Sequence, residues 1–450
     1  MAASTLNHFI GVFSGAFRGL SVDVPISAVE QLAMLVHNAM DQGRRTYHTS
    51  VHVFEVCQGM NPRQTLAALF HDTVYYQVDG GFPHRAKAML EPLVRVKNGK
   101  VVLKTVLPGD TGLAMCAAVF GFRSGDTLPL FGGMNEFLSA VLAVRSLQPY
   151  LKEADLLAIA ACIETTIPFR FGDASRGDPV MTLAARVRSW SEARGLALGD
   201  AQIDRIMVDA VKLGNQDVGG FAEVNPAEFL ANTWLLIEES NVQLAAVGVY
   251  SIQDYRMALA RMDRFLGALD SDSVFCRYGG VPDDREYAWL RTRARRNIEF
   301  SRDYLGAKLL GIAVVEALAL ATGGDCPVSM LLGDIRSPYG RPDRAEDFLP
   351  ALPATRPLDP ELLEVLEKGR SRTTTSDLNA SPLSAYVYRT LGAERTRLAM
   401  AKAKRMFNGE ISPEDFLRAL DGELVRAVAQ ACANIAFSRR NALLAIARGA

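Results

Sequence analysis

Two short stretches constrain this chain more than anything else in it. One is Arg45-Thr46-Tyr47-His48-Thr49-Ser50-Val51-His52, and the other is Ala68-Leu69-Phe70-His71-Asp72-Thr73-Val74-Tyr75. Three of the six histidines fall here, and a fourth, His84, lies just downstream. His48 and His52 are four residues apart, which on a helix places them on one face, a turn apart. His71-Asp72 closes the apolar run from Thr65 to Phe70, which reads as a buried helix delivering two ligand-grade side chains at its end. A lone histidine on an apolar helix is more often a satisfied core residue than a ligand. An adjacent His-Asp pair in a chain so poor in histidine shifts the balance toward a metal site. Imidazoles and a carboxylate buried together without a cation would carry a desolvation cost with no evident partner. Such a donor set suits a divalent ion, with Mn, Mg, Fe, Zn and Co all compatible.

At 450 residues the chain is too long for one ordinary core, so two domains are expected. The 49 basic and 50 acidic residues leave a net charge of −1, which gives no signal for nucleic acid or an anionic membrane as partner. A homo-oligomer is left open. The six cysteines are scattered singly, without CxxC spacing, as in a chain with reduced thiols in the cytoplasm. No basic region leads into the apolar N-terminal stretch, so a signal peptide is not expected. The longest apolar run, Leu309 to Thr322, contains Glu316 and is too short to span a bilayer.

Helical periodicity runs from Ile26 to Met40, and Asn61-Pro62 starts the helix that ends at His71-Asp72. Only the turn Gln58 to Asn61 separates the two ligand-bearing segments, which favours neighbouring antiparallel helices. Leu93 to Leu103 alternates on both sides of Asn98-Gly99, the strongest short signal for a β-hairpin. With Gly-rich flanks on either side, it reads as an insertion at about 85–130, either a rim over the metal or a surface ornament. Helices are then expected over Asn135–Leu151, Glu153–Thr165, Val180–Ala193, Asp200–Gly214 and Pro226–Asn241. Beyond them come Ile252–Leu269, Arg285–Thr322, Ala380–Met406, Pro413–Ala419 and Gly422–Arg448. Residues 336–382 carry much Pro, Asp and Ser and read as a loop-rich stretch, with the 370–376 run exposed. Arg291, Arg293, Arg295 and Arg296 form a basic cluster, read as a solvated helix face in ion pairs rather than a phosphate site.

The motif residues resemble the HD superfamily of metal-dependent phosphohydrolases, in the R-x-Y-H-x-x-x-H followed by F-H-D-x-x-Y variant. They also resemble the Y-H-N-x-x-H and H-D motifs of cyclic-nucleotide phosphodiesterases. The resemblance implies a mainly α fold: an HD-type helical bundle over 22–245 with a small hairpin insertion, then a second all-helical region over 246–450. It implies His52, His71 and Asp72 as metal ligands and His48 as general acid. Thr49 stands where the phosphodiesterases have Asn, and Tyr75 where they have a further His. The resemblance calls for a fourth ligand, an acid far downstream, for which Asp204, Asp209 and Asp217 are candidates. Asp217 is chosen because it follows a long apolar helix and is flanked by Gly and Asn, where backbone passes closely. It also matches the family's closing "aD" segment. The competing role for Asp217 is the N-cap of a following short helix. With no histidine after His84, the centre expected is one metal, or two sharing Asp72 and waters.

The function this implies is metal-dependent hydrolysis of a phosphomono- or phosphodiester in a small, nucleotide-like substrate. Asp72 and His48 would serve catalysis, the ordinary imidazole pKa near ~6.5 suiting His48 to proton transfer. Arg45 would grip a phosphate oxygen, with Tyr47, Tyr75 and Thr165 lining the substrate. The alternatives are a degenerate scaffold that binds a nucleotide or protein, and an iron-dependent oxygenase, which the scarcity of histidines disfavours.

Overall fold

The segment Glu153–Thr165 is apolar on nearly every side, and a helix of that composition is stable only when neighbours cover it all round. The structure, a computed structural model, surrounds it accordingly. It describes residues 4–106, 109–130, 132–169, 178–335, 340–351, 356–372, 374 and 376–450. The fold is mainly α, with one two-stranded hairpin. The chain forms two compact units: Met1–Ala222 with Leu269–Ala294, and Glu223–Ala268 with Arg295–Ala450.

The longer helices of the first unit are α1 (Thr5–Gly19), α2 (Ile26–Met40), α3 (Ser50–Cys57) and α4 (Pro62–Phe70), then, after the hairpin strands β1 (Val94–Lys97) and β2 (Lys100–Leu103), α5 (Thr111–Phe120), α6 (Met134–Leu147), α7 (Glu153–Thr165), α8 (Pro179–Ala193) and α9 (Asp200–Asp217). Helix α7 packs against α4, α6 and α9, and every residue from Leu156 to Thr165 is buried. Helix α4 starts as its sequence requires. The Asn61 side chain accepts from the Arg63 and Gln64 amides while Gln64 returns a bond to the Asn61 amide, and Pro62 fills the first turn. The hairpin pairs Val94 with Leu103 and Lys97 with Lys100, closed by Asn98 and Gly99 at φ 52° and 72°. Both turn residues are left-handed, as a two-residue turn between twisted strands demands. Its inward residues Val94, Val101 and Leu103 join the unit's core.

Several boundaries differ from expectation. The first unit begins well before residue 22: Phe9, Phe13 and Phe17 of α1 recur every fourth residue and are buried, and the Phe13 ring meets Phe70 edge-on at 5.8 Å. Nor does it end at 245, because the chain leaves at Ala222 and returns over Leu269–Ala294. That return is stitched down at Asn215 of α9, whose amide donates to the Cys276 carbonyl and accepts from the Cys276 N–H, both at 2.8 Å. The stretch taken as an insertion also contains α5, a helix buried almost throughout.

The second unit holds α10 (Pro226–Ser240), α11 (Ile252–Ala268), α12 (Asp284–Thr322) from Arg295 onward, α13 (Pro360–Lys368), α14 (Pro382–Phe407), α15 (Pro413–Arg418), α16 (Gly422–Ile435) and α17 (Arg440–Gly449). The last two replace the single helix expected over Gly422–Arg448. Helix α12 contains a window long and apolar enough to cross a membrane by length and composition, of which 78 % is buried. Its polar residues Lys308 and Glu316 are bonded to Asp377 and Arg256. The loop-rich stretch contains α13, which buries Leu362, Val365 and Leu366. The 370–376 run is exposed only in part where it is described: Ser371 and Arg372 are exposed, Arg370, Thr374 and Ser376 are buried, and Thr373 and Thr375 lie outside the described residues. The Arg370 guanidinium lies 4.1 Å over the Trp234 ring, and Ser376 accepts the Tyr250 hydroxyl on its carbonyl at 2.5 Å. In the basic cluster Arg291 pairs with Asp272 and Arg296 with Glu361, in keeping with a solvated, ion-paired face.

Candidate metal centre

Four side chains from three separate helices meet at one point. His52 comes from the first turn of α3, His71 and Asp72 from the end of α4, and Asp217 from the last residue of α9. One ligand atom of each lies within 4.8 Å of the other three. Opposite ligands around one divalent ion are about 4.2 Å apart, twice a bond of about 2.1 Å, so the spread is close to that of a coordination shell. The separations are 3.0 Å from His52 Nε2 to Asp217 Oδ1, 3.5 Å from His52 Nε2 to Asp72 Oδ2, 2.9 Å from His71 Nε2 to Asp72 Oδ2 and 3.2 Å from His71 Nε2 to Asp217 Oδ1.

The hydrogen bonding around His71 supports a cation at this point. Its Nδ1–H donates to the Ala68 carbonyl at 2.7 Å, which turns Nε2 toward the two carboxylates. Fixing one ring nitrogen on a backbone carbonyl is how metal-bound imidazoles are oriented. His71 Nε2 and Asp72 Oδ2 are both buried, and neither has a hydrogen-bond partner, since their 2.9 Å approach lacks hydrogen-bond geometry. Burial opposes a charge on His71, yet Asp72 and Asp217 outweigh it and hold its pKa well above the ordinary range. Burial likewise opposes ionisation of Asp72 and Asp217, and the imidazoles, His71 foremost, hold both carboxyls below theirs. The electrostatics thus favour positive charge at the point of convergence, and the four residues could hold a metal ion.

His48 lies beside the centre but not on the α3 helix. Thr49 is the N-cap, so the argument that His48 and His52 share a helical face does not hold. A bend before the helix brings the two rings to 5.8 Å, with Tyr47 at 4.9 Å and Tyr75 at 4.6 Å from the His48 ring. Tyr47 and Tyr75 therefore form walls around His48. His84 is exposed and stands outside the group of four. Asp204 and Asp209 stand outside it as well. Asp204 accepts from the Tyr278 hydroxyl at 2.7 Å.

Two expected substrate contacts are committed to the protein instead. The Arg45 guanidinium has no exposed surface. Its Nε and Nη2 donate to Asp79 at 2.9 and 2.6 Å, and its Nη1 donates to the Asp72 carbonyl at 2.7 Å. A carboxylate matched to the guanidinium fork leaves little for a phosphate, and Arg45 fixes the backbone of a ligand. Thr165 is buried, with its hydroxyl against the Cys162 and Ala210 carbonyls at 2.7 and 2.6 Å, so it joins α7 to α9. Its neighbour Glu164 pairs with Arg186 at 3.7 Å. Arg45→Met is expected to weaken metal affinity by about 10–100-fold. Because it strands Asp79, it should also cost about 3–5 kcal/mol of stability. Metal titration and thermal melting check both, and unchanged metal affinity would refute the orienting role.

Sequence reasoning missed Glu136, in the first turn of α6. Burial pushes its carboxyl up to about 7, and Asp72 and Asp217 add to the shift. No motif spacing marks it, because the packing of α6, and not its place in the sequence, brings it within electrostatic reach of Asp72 and Asp217. No family model, curated protein or solved structure matches the chain.

Proposed function

We propose that the chain is a metal-dependent phosphohydrolase of the HD kind, acting on a small phosphorylated, nucleotide-like substrate. The observation that carries this reading is the convergence of His52, His71, Asp72 and Asp217, with His71 oriented by the Ala68 carbonyl and the Asp72 backbone held by Arg45. Two imidazole nitrogens and two carboxylates suit Mn, Fe, Co, Zn or Mg. A divalent cation bound there supplies a water of lowered pKa and polarises a phosphoryl oxygen. His52 and His71 serve as neutral ligands, and Asp72 and Asp217 balance the charge. His48, beside the four and walled by Tyr47 and Tyr75, carries the proton to the leaving oxygen.

The test is metal analysis together with turnover of bis-para-nitrophenyl phosphate and a nucleotide panel. His48→Gln is expected to keep the metal and lose about 10²–10⁴-fold in turnover. Full activity in that variant would remove His48 from the chemistry. The burial of Arg45, which takes away the expected phosphate contact, favours a second reading: a degenerate scaffold that binds a nucleotide or protein without hydrolysis. A metal-loaded wild type that turns over no phosphoester would select it.

A further inference from the structure

The second unit holds a cavity of about 40 Å³ at the start of α14, lined there by Ser381, Leu383 and Ser384 and faced by Tyr255 of α11 and Lys308 of α12. Ser381 is the N-cap of α14, but its side chain makes no capping bond. In the first turn, the amides of Leu383 and Ser384 have no acceptor among the described residues. The helix runs unbroken from Pro382 to Leu391, so the positive end of its dipole and its two free amides lie at this space.

Three side chains add donors to those amides. Tyr255, Lys308 and Ser381 are 3 %, 5 % and 5 % exposed. The Tyr255 hydroxyl is buried without a hydrogen-bond partner, and burial, with Asp377 adding to it, holds the phenol well above its ordinary pKa, so it keeps its proton. Lys308 spends two of its three N–H bonds, on Asp377 Oδ2 and Ser381 Oγ at 2.8 Å each, and its Nζ lies 5.8 Å over the Tyr255 ring. Ser381 Oγ is also 3.0 Å from the Tyr304 hydroxyl, which accepts from Arg370 at 3.3 Å. Only one proton can lie between those two hydroxyls. The other is left over, and it is Ser381, not Tyr304, that lines the cavity. Lys308 and Arg370 both meet Asp377, two cations to one carboxylate, while Arg344 and Glu346, also on the lining, balance each other at 3.0 Å.

We propose that this cavity binds a small monovalent carboxylate, of formate or acetate size, on the opening amides of α14, the Lys308 ammonium and the hydroxyls of Tyr255 and Ser381. An uncapped helix start is a ready site for an anion, and the buried, unbonded Tyr255 hydroxyl marks this one as built for an acceptor. One water needs about 10–15 Å³ on this measure, so the space takes about three such groups, enough for a carboxylate and too little for a phosphate with its ester. The inference is independent of the phosphohydrolase reading.

The experiment is calorimetric titration of the full chain with sodium formate and sodium acetate at constant ionic strength, with chloride and inorganic phosphate as comparison ions. It is run on the wild type, Tyr255→Phe, Ser381→Ala and Asp72→Ala, the last to exclude a carboxylate held by a metal. Formate or acetate should bind the wild type saturably at one site and bind Asp72→Ala equally. Tyr255→Phe and Ser381→Ala should each weaken binding about tenfold, the effect of one hydrogen bond to a charged group. Tyr255→Phe removes a hydroxyl that bonds nothing, so its fold is expected to persist, and circular dichroism checks this for both variants. A loss of affinity in either folded variant supports the site. No saturable binding to the wild type, an affinity that neither variant lowers, or binding lost in Asp72→Ala overturns it, as does equally tight binding of chloride or phosphate.

Discussion

Asp72→Ala is expected to empty the metal centre and, if the centre is catalytic, to abolish turnover. Asp72 contributes one of two carboxylates, and its Oδ2 lies 2.9 Å from His71 Nε2 and 3.5 Å from His52 Nε2. Without it, two imidazoles and Asp217 remain, with half the negative charge and an open side. In a phosphohydrolase a cation held there would stabilise transition-state charge by several kcal/mol, and its loss would lower turnover roughly 10³-fold or more. Stoichiometric metal in the wild type and near-zero metal in Asp72→Ala, measured by elemental analysis, is the primary result, because it does not depend on knowing the substrate. Full metal content with full turnover in the variant would refute the site. Comparison with His48→Gln separates holding the metal from moving the proton.

The second large effect lies in the other unit, at Asp377. Its Oδ2 accepts from Lys308 at 2.8 Å and from Trp234 Nε1 at 2.9 Å, and it lies 3.5 Å from Arg370 Nη1. Lys308 and Arg370 are both buried. Asp377→Ala leaves two buried cations without their carboxylate, and removing one partner of such a group costs about 3–5 kcal/mol. Denaturant or thermal unfolding measures the loss, and a change below about 1 kcal/mol would show the cluster to be incidental. The same carboxylate sets a pH dependence. Burial raises its pKa, but Lys308 and Arg370 outweigh burial and hold the carboxyl below the usual range. A depressed folded-state pKa gives stability that is fully present above the unfolded value near ~3.9 and is lost as pH falls through the lower folded value. The stability gap between wild type and Asp377→Ala should therefore hold from neutral pH to about 4 and narrow below it.

Much of the centre was legible because it is written locally. His52, His71 and Asp72 sit at helix ends whose starts are marked by Thr49 and by Asn61-Pro62, and the hairpin is marked by Asn98-Gly99. Asp217 was harder to read. It was chosen from three acids by its Gly- and Asn-rich surroundings, and it is the last residue of α9 because that helix runs a turn longer than its periodicity suggested. Arg45 reads in the sequence as a guanidinium beside a histidine motif, a residue type suited to phosphate, but its partner Asp79 was not legible. Nothing in the sequence distinguishes a guanidinium that meets a phosphate from one that meets a carboxylate many residues away.

What the sequence determined by itself is where many of the longer helices and the hairpin begin and which residue types could bind a cation. Caps, turns and apolar periodicity act between residues a few positions apart, so their chemistry can be read along the chain. What only the tertiary structure decided is which groups are buried and with whom. Helix α1 packs under Phe70, the segment 269–294 returns to α9, Glu136 comes within electrostatic reach of Asp72 and Asp217, and Arg370 is buried over Trp234. The physical reason is that burying a charge or a polar group is favourable only when a partner meets it, and these partners come from elements far apart in the chain.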